Sequence, residues 1–124
     1  MTEKMILLGN GHQVEAQIVG ALGLHEDTYN RNWWMVTHVK SGAFIAAFSY
    51  DLDALDFAVK ADSMMDLDSY MIDIANKGVK RAKVAFSEQI HAILKLRSSY
   101  TTWIPESDER PEMGRKRIKE RVQS

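Results

Sequence analysis

The spacing of hydrophobic and polar residues changes twice along this chain. An apolar run, Met5-Ile6-Leu7-Leu8, leads into Asn10-Gly11, after which Val14, Ala16 and Ile18 alternate with Gln13, Glu15 and Gln17. A period of two marks a strand with one covered face. Asn-Gly tolerates the two positive φ angles of a type I′ turn, so a hairpin is expected here. With Asn10 and Gly11 as the loop, Leu7 faces Val14 and Met5 faces Ala16, leaving Ile6 and Leu8 opposite Glu15 and Gln13. A second hairpin is expected from residues 33–40 and 43–50 around Ser41-Gly42. Its register pairs Val39 with Phe44, Thr37 with Ala46, Met35 with Phe48 and Trp33 with Tyr50. That set is apolar except for Thr37, so burial should select it over a one-residue slip. Between the hairpins, residues 20–32 show no sustained period. They read as a connection with one helical turn near residues 21–24, long enough to be a candidate functional loop.

After Tyr50 the period lengthens to that of helices. Asp51 is placed as the N-cap of a helix reaching Met64 or Met65, with Leu55, Phe57, Ala58 and Val59 as its apolar positions. Asp66 caps a second helix with Leu67, Tyr70, Met71 and Ile74 on one stripe and Gly78 as its stop. From Val79 the series Ala82, Ala85, Phe86, Ile90, Ile93 and Leu94 keeps a helical period to Arg97. One helix is favoured over a strand at residues 81–86 followed by a helix capped by Ser87. Trp103-Ile104-Pro105 reads as a last anchoring contact. Residues 106–111 are polar and end on a second proline, and residues 114–121 are basic. The fold class expected is α+β: two N-terminal β-hairpins forming an antiparallel sheet, covered by two or three C-terminal helices. Residues 1–104 form the single domain, and residues 105–124 a charged, flexible tail.

Composition narrows the function classes. With 124 residues, 45% hydrophobic and 27% charged, the chain suits one globular core. It has no cysteine, which removes disulfides, thiol catalysis and thiolate zinc sites. The first residues carry an acid and lack a long apolar stretch, and no apolar run approaches the roughly 20 residues a bilayer requires. A cytoplasmic protein with no membrane partner is the expectation. The net charge of −1 conceals a separation of sign. Residues 51–73 hold seven acids against Lys60 alone, whereas residues 80–97 hold five bases against Glu88 alone. Such halves suit adjacent helices or association between copies.

No catalytic constellation stands out. His12, His25, His38 and His91 fall on four different elements, and no two share the three- or four-residue spacing of helical metal ligands. His25-Glu26-Asp27 is the one His/acid cluster, and neighbours on a chain seldom converge on one ion. Ser41 lies near the expected turn, and His38 points to the opposite face from Thr37, so no nucleophile with an oriented base is expected. The acids of residues 51–73 are explained by capping and the helix dipole. Gly9-Asn10-Gly11 and Gly20-Ala21-Leu22-Gly23 lack the lysine and Ser/Thr of a phosphate loop. No cofactor and no metal are expected. The basic residues offer the remaining signal. Lys80, Arg81 and Lys83, or Arg115, Lys116 and Arg117 in the tail, suit an anionic ligand, either a nucleotide or nucleic acid. Adjacent Trp33 and Trp34 must point to opposite strand faces, which makes Trp34, with Trp103, a candidate interface anchor. The leading reading is a non-enzymatic binding or regulatory protein acting as a homo-oligomer with a protein partner. In general make-up alone, with no motif to carry it, the chain resembles small accessory or inhibitor proteins of phages and mobile elements. Anion binding is the second reading, and a small hydrolase-like enzyme using acids or His of the 20–32 loop is the third.

Overall fold

In a computed structural model, described here for residues 2–27 and 32–104, five antiparallel strands precede four helices, so the α+β class holds. The strands are β1 (Thr2–Leu7), β2 (Gln13–Val19), β3 (Leu22–Glu26), β4 (Trp34–His38) and β5 (Phe44–Phe48), in spatial order β1-β2-β3-β4-β5. The helices are α1 (Asp51–Met64), α2 (Leu67–Lys77), α3 (Val79–Ala85) and α4 (Ser87–Ser98). The expected tail lies outside the described residues. Among the described residues no helix is long and apolar enough to cross a membrane.

Both hairpins form, the first one residue out of the expected register and the second one residue out along most of its length and two next to its turn. In the first, Leu8 N–H donates to His12 O (2.9 Å) and Gly11 N–H to Leu8 O (3.0 Å), enclosing three loop residues instead of two. Gly11 takes φ +87°, and the Asn10 side chain accepts from His12 N–H. This three-residue loop, with its glycine in the left-handed region, is the next commonest hairpin connection. It pairs Ile6 with Val14 and Leu7 with Gln13, so Ile6 and Leu8 turn inward while Met5 and Leu7 face solvent. In the second, His38 and Ala43 close a four-residue loop, and Ile45 is an extra residue between Val36↔Ala46 and Thr37↔Phe44. Trp34 therefore opposes Phe48, and Met35 opposes Ala47. Phe44 and Ile45 end half-buried, and Tyr50 is exposed rather than paired with Trp33.

The segment expected to connect the hairpins is β3. It follows a tight turn at Gly20-Ala21 and pairs along its length with β4. Leu22 and Leu24 lie on the face that also carries Val36, Ala46 and Phe48, and α1 packs there through Ala54, Phe57, Ala58 and Ala61. Small alanine side chains let the helix approach the sheet closely, and Phe57 meets Phe48 at 5.2 Å between ring centroids. The opposite face bears Ile6, Ala16 and Gly23, buried, with Val39 half-buried beside them, although no helix lies over them. The sheet covers that face by curling. Gly9 N–H donates to Gly42 O (3.1 Å), joining the end of β1 to the start of β5.

Helix boundaries follow the expected capping in part. Asp66 accepts from Ser69 N–H at the start of α2, and Gly78 (φ +87°) ends it. Asp51 lies inside the first turn of α1 and Tyr50 precedes it without a side-chain cap. The long helix expected from Val79 to Arg97 is two helices, broken at Phe86 (φ −113°, ψ 23°). Phe86 turns aside to pack edge-on against Tyr70 at 5.4 Å. The chain then returns beside β5. Phe48 bridges Trp103, Ser49 N–H donates to Thr102 O, and Ile104 N–H donates to Ala47 O, so Trp103 and Ile104 of the expected anchoring contact lie against β5, and Pro105 falls outside the described residues. Tyr100 and Thr102 donate their hydroxyl hydrogens to Asp56 and Asp53 of α1.

Candidate functional site

Three polar assemblies form around the sheet. The first joins residues far apart in sequence: Ser41, His38 and Asp68. His38 is 1% exposed. Ser41 N–H donates to its Nδ1 (3.3 Å), which makes that nitrogen the acceptor of the Ser41 hydroxyl as well (2.7 Å). Nε2–H then donates to Asp68 Oδ1 (2.6 Å), and Lys40 Nζ stands 3.0 Å from the other carboxylate oxygen. Burial pushes the imidazole pKa down, and the hydrogen bond and charge of Asp68 only partly reverse this, so the neutral form is the resident one. Burial likewise opposes ionisation of Asp68, but the bonds from Lys40 and His38 outweigh it and hold the carboxyl below its usual range. The order Ser–His–Asp matches a hydrolytic triad, but the Ser41 oxygen also accepts from Ala43 N–H (3.1 Å) and Ser41 is buried. Its hydrogen-bonding capacity is taken up by the β4–β5 turn. The assembly fastens that turn to the start of α2.

The second assembly is the buried pair His25 and Thr37. Nδ1–H donates to Glu26 O (2.7 Å), so Nε2 accepts from the Thr37 hydroxyl (2.9 Å). Both nitrogens are satisfied, and burial depresses the pKa of this histidine too. Neither assembly is readable from local sequence, because 12 residues separate His25 from Thr37 and 30 separate His38 from Asp68.

The third is open to solvent. The β2/β3 ladder spans Val19↔Leu22 to Gln17↔Leu24 and stops, although β2 begins at Gln13 and β3 runs on to Glu26. Where the strands part lies a cleft of about 570 Å³, lined by Glu3, Glu15, Gln17, Leu24, Glu26 and Trp34 with Val14, Ala16, His25 and Asp27. The first six share the sheet face that the helices cover further along. No lysine or arginine is among these lining residues. Glu15 is hydrogen-bonded to Glu3 and repelled by its charge, which pushes the Glu15 carboxyl above its usual range. The Glu26 carboxylate has no partner among the described residues. Trp34 packs half-buried against the main core and supplies an aromatic wall.

Of the sequence-derived candidates, Lys80, Arg81 and Lys83 are brought together on α3, exposed and without an acid at ion-pair distance among the described residues. Arg115, Lys116 and Arg117 lie outside the described residues. Trp34 and Trp103 line one row across the sheet, Trp103–Phe48–Trp34–Glu26, but they differ in setting. The Arg97 guanidinium stacks 4.6 Å from the Trp103 ring and donates to Ile45 O. Trp34 borders the cleft. Among the described residues no group of three or more His, Asp or Glu is arranged to hold a metal ion. No family model, no curated protein sequence and no solved structure matches this chain.

Proposed function

We propose that this is a small non-enzymatic binding protein that works as a homo-oligomer, and that its recognition surface is the cleft between β2 and β3. The observation that carries the reading is the parting of two strands that both continue past their last shared pair. Main-chain edges left without a ladder partner there offer an extended peptide the hydrogen bonds of a sheet. Glu3, Glu15 and Glu26 select for positive charge, and Trp34 suits an arginine or lysine side chain. The occupancy of the Ser41 hydroxyl and both imidazoles by structural bonds supports a binding role over a hydrolytic one. Association between copies is supported by β1, an outer strand whose Met5 and Leu7 are exposed.

The test is a titration monitored by the Trp34 indole resonance. A ten-residue peptide of alternating arginine and valine should bind, and one of alternating glutamate and valine should not. Glu15→Gln with Glu26→Gln should weaken binding by roughly tenfold, the loss of two exposed ion pairs. Equal response to both peptides sinks the reading. A second reading, binding of a phosphate-bearing anion, is favoured by the acid-free exposed arc of Lys80, Arg81 and Lys83 on α3. It requires a steep salt dependence that the triple glutamine variant abolishes.

A further inference from the structure

The binding reading leaves the occupant of the cleft unnamed, and the chain carries a segment with matching chemistry. In residues 114–122, Arg115, Arg117, Lys119 and Arg121 fall at every second position, with Lys116, Ile118, Glu120 and Val122 in the intervening set. An extended chain puts alternate side chains on opposite faces, so that spacing would gather four cations on one side, with Ile118 and Val122 beside Lys116 and Glu120 on the other. The cleft offers the complementary charge on one of its faces. Glu3, Glu15 and Glu26 stand on one face, and Val14, Ala16 and His25 line the other.

Resting on the cleft reading above, we propose that the cleft is the docking site of this chain's own basic segment, residues 114–121, bound in the same molecule and competing with any external basic strand.

Reach permits this. The described chain ends at Ile104 beside Ala47. The row Trp103–Phe48–Trp34–Glu26 crosses three strand spacings to the cleft, about 14 Å at 4.8 Å each. The ten residues from 105 to 114 can span about 33 Å. Tethering at that distance gives an effective concentration on the order of millimolar, far above that of a second copy in dilute solution. The other acidic surface, α1 with α2, is a weaker host because its carboxylates are engaged. Asp56 meets Lys60 and Tyr100, Asp62 accepts from Ala21 N–H, and Asp66 caps α2. Asp68 meets His38 and Lys40, and Asp73 meets Lys77.

The absence of cysteine makes the test clean, because Met113→Cys gives the full chain a single attachment point for a nitroxide. Amide signals of Glu15, Ala16 and Glu26 and the Trp34 indole should broaden when label and nucleus share one chain. They should not broaden in a mixture of labelled chain with isotope-enriched unlabelled chain. Replacing Arg115, Arg117, Lys119 and Arg121 with glutamine should abolish the effect. That variant should also bind a synthetic peptide of residues 114–123 at least about tenfold more tightly than the parent chain does, since the site is then vacant. Broadening centred on α1 and α2, broadening only in the mixed sample, or none at all overturns the proposal. If the peptide binds both chains equally, the self-docking inference fails while the cleft reading stands. If it binds neither, both fail.

Discussion

Single side chains decide how the β-turns are held. Gly20 has φ +59°, and a Cβ there would stand 2.0 Å from Asp62 Oδ2, whose partner oxygen accepts from Ala21 N–H at 3.0 Å. Gly20→Ala should therefore cost about 1–2 kcal/mol for the left-handed backbone alone. It should also lose the Asp62 bond, worth about 1 kcal/mol. Urea denaturation of Gly20→Ala, Asp62→Ala and the double variant checks this, and the two losses should be less than additive because both remove one contact. Little of this is legible in the sequence. Turn glycines announce themselves, but the carboxylate seated on Gly20 comes from a helix about 40 residues later. The same applies to His38. Strand alternation correctly turns it away from Thr37, but its partners Ser41 and Asp68 need the fold to bring them together.

At the level of elements, legibility depends on how many faces an element buries. α2, with one apolar stripe, is placed by its period together with its cap and its glycine stop. β5 is covered by helices on one side and by the curled sheet on the other, so Phe44-Ile45-Ala46-Ala47-Phe48 shows no alternation to fix a register. The hairpin is evident in the sequence and its pairing is not. β3 escapes pattern reading because it is five residues long, contains Gly23, and buries His25 on the face where a polar residue suggests solvent. The break at Phe86 interrupts a series that keeps its helical period across it, so periodicity does not reveal it. α3 is consequently a seven-residue helix packed mainly on α2, with Ala82 as its one buried residue. Hydrogen exchange should reflect that. Amides of α3 should exchange at least about a hundredfold faster than those of α1, equivalent to an opening energy lower by roughly 3 kcal/mol. Equal protection would mean that α3 opens only with the whole domain.

For the whole molecule, acid is the informative perturbant. His25 and His38 are both buried neutral, and burial lowers both pKa values from 6.5. An unfolded chain binds protons there before the folded one does, so the stability they contribute is complete above about pH 6.5 and is lost as pH falls through the depressed folded values. Asp68, also lowered, adds a second loss below about pH 3.8. Guanidinium midpoints should fall between pH 7 and pH 5, and His25→Gln with His38→Gln should flatten that slope while costing about 1–3 kcal/mol per site at pH 7. A midpoint independent of pH in this window would contradict the burial of both rings. The strip from Thr102 to Ile104 has a wider consequence. It borders residues 47–49 at the outer side of β5, while β1, the strand at the other end of the sheet, exposes Met5 and Leu7. Backbone of the same chain laid on an outer strand takes up main-chain groups that a neighbouring sheet would otherwise use, so edge-to-edge addition is disfavoured where the strip lies.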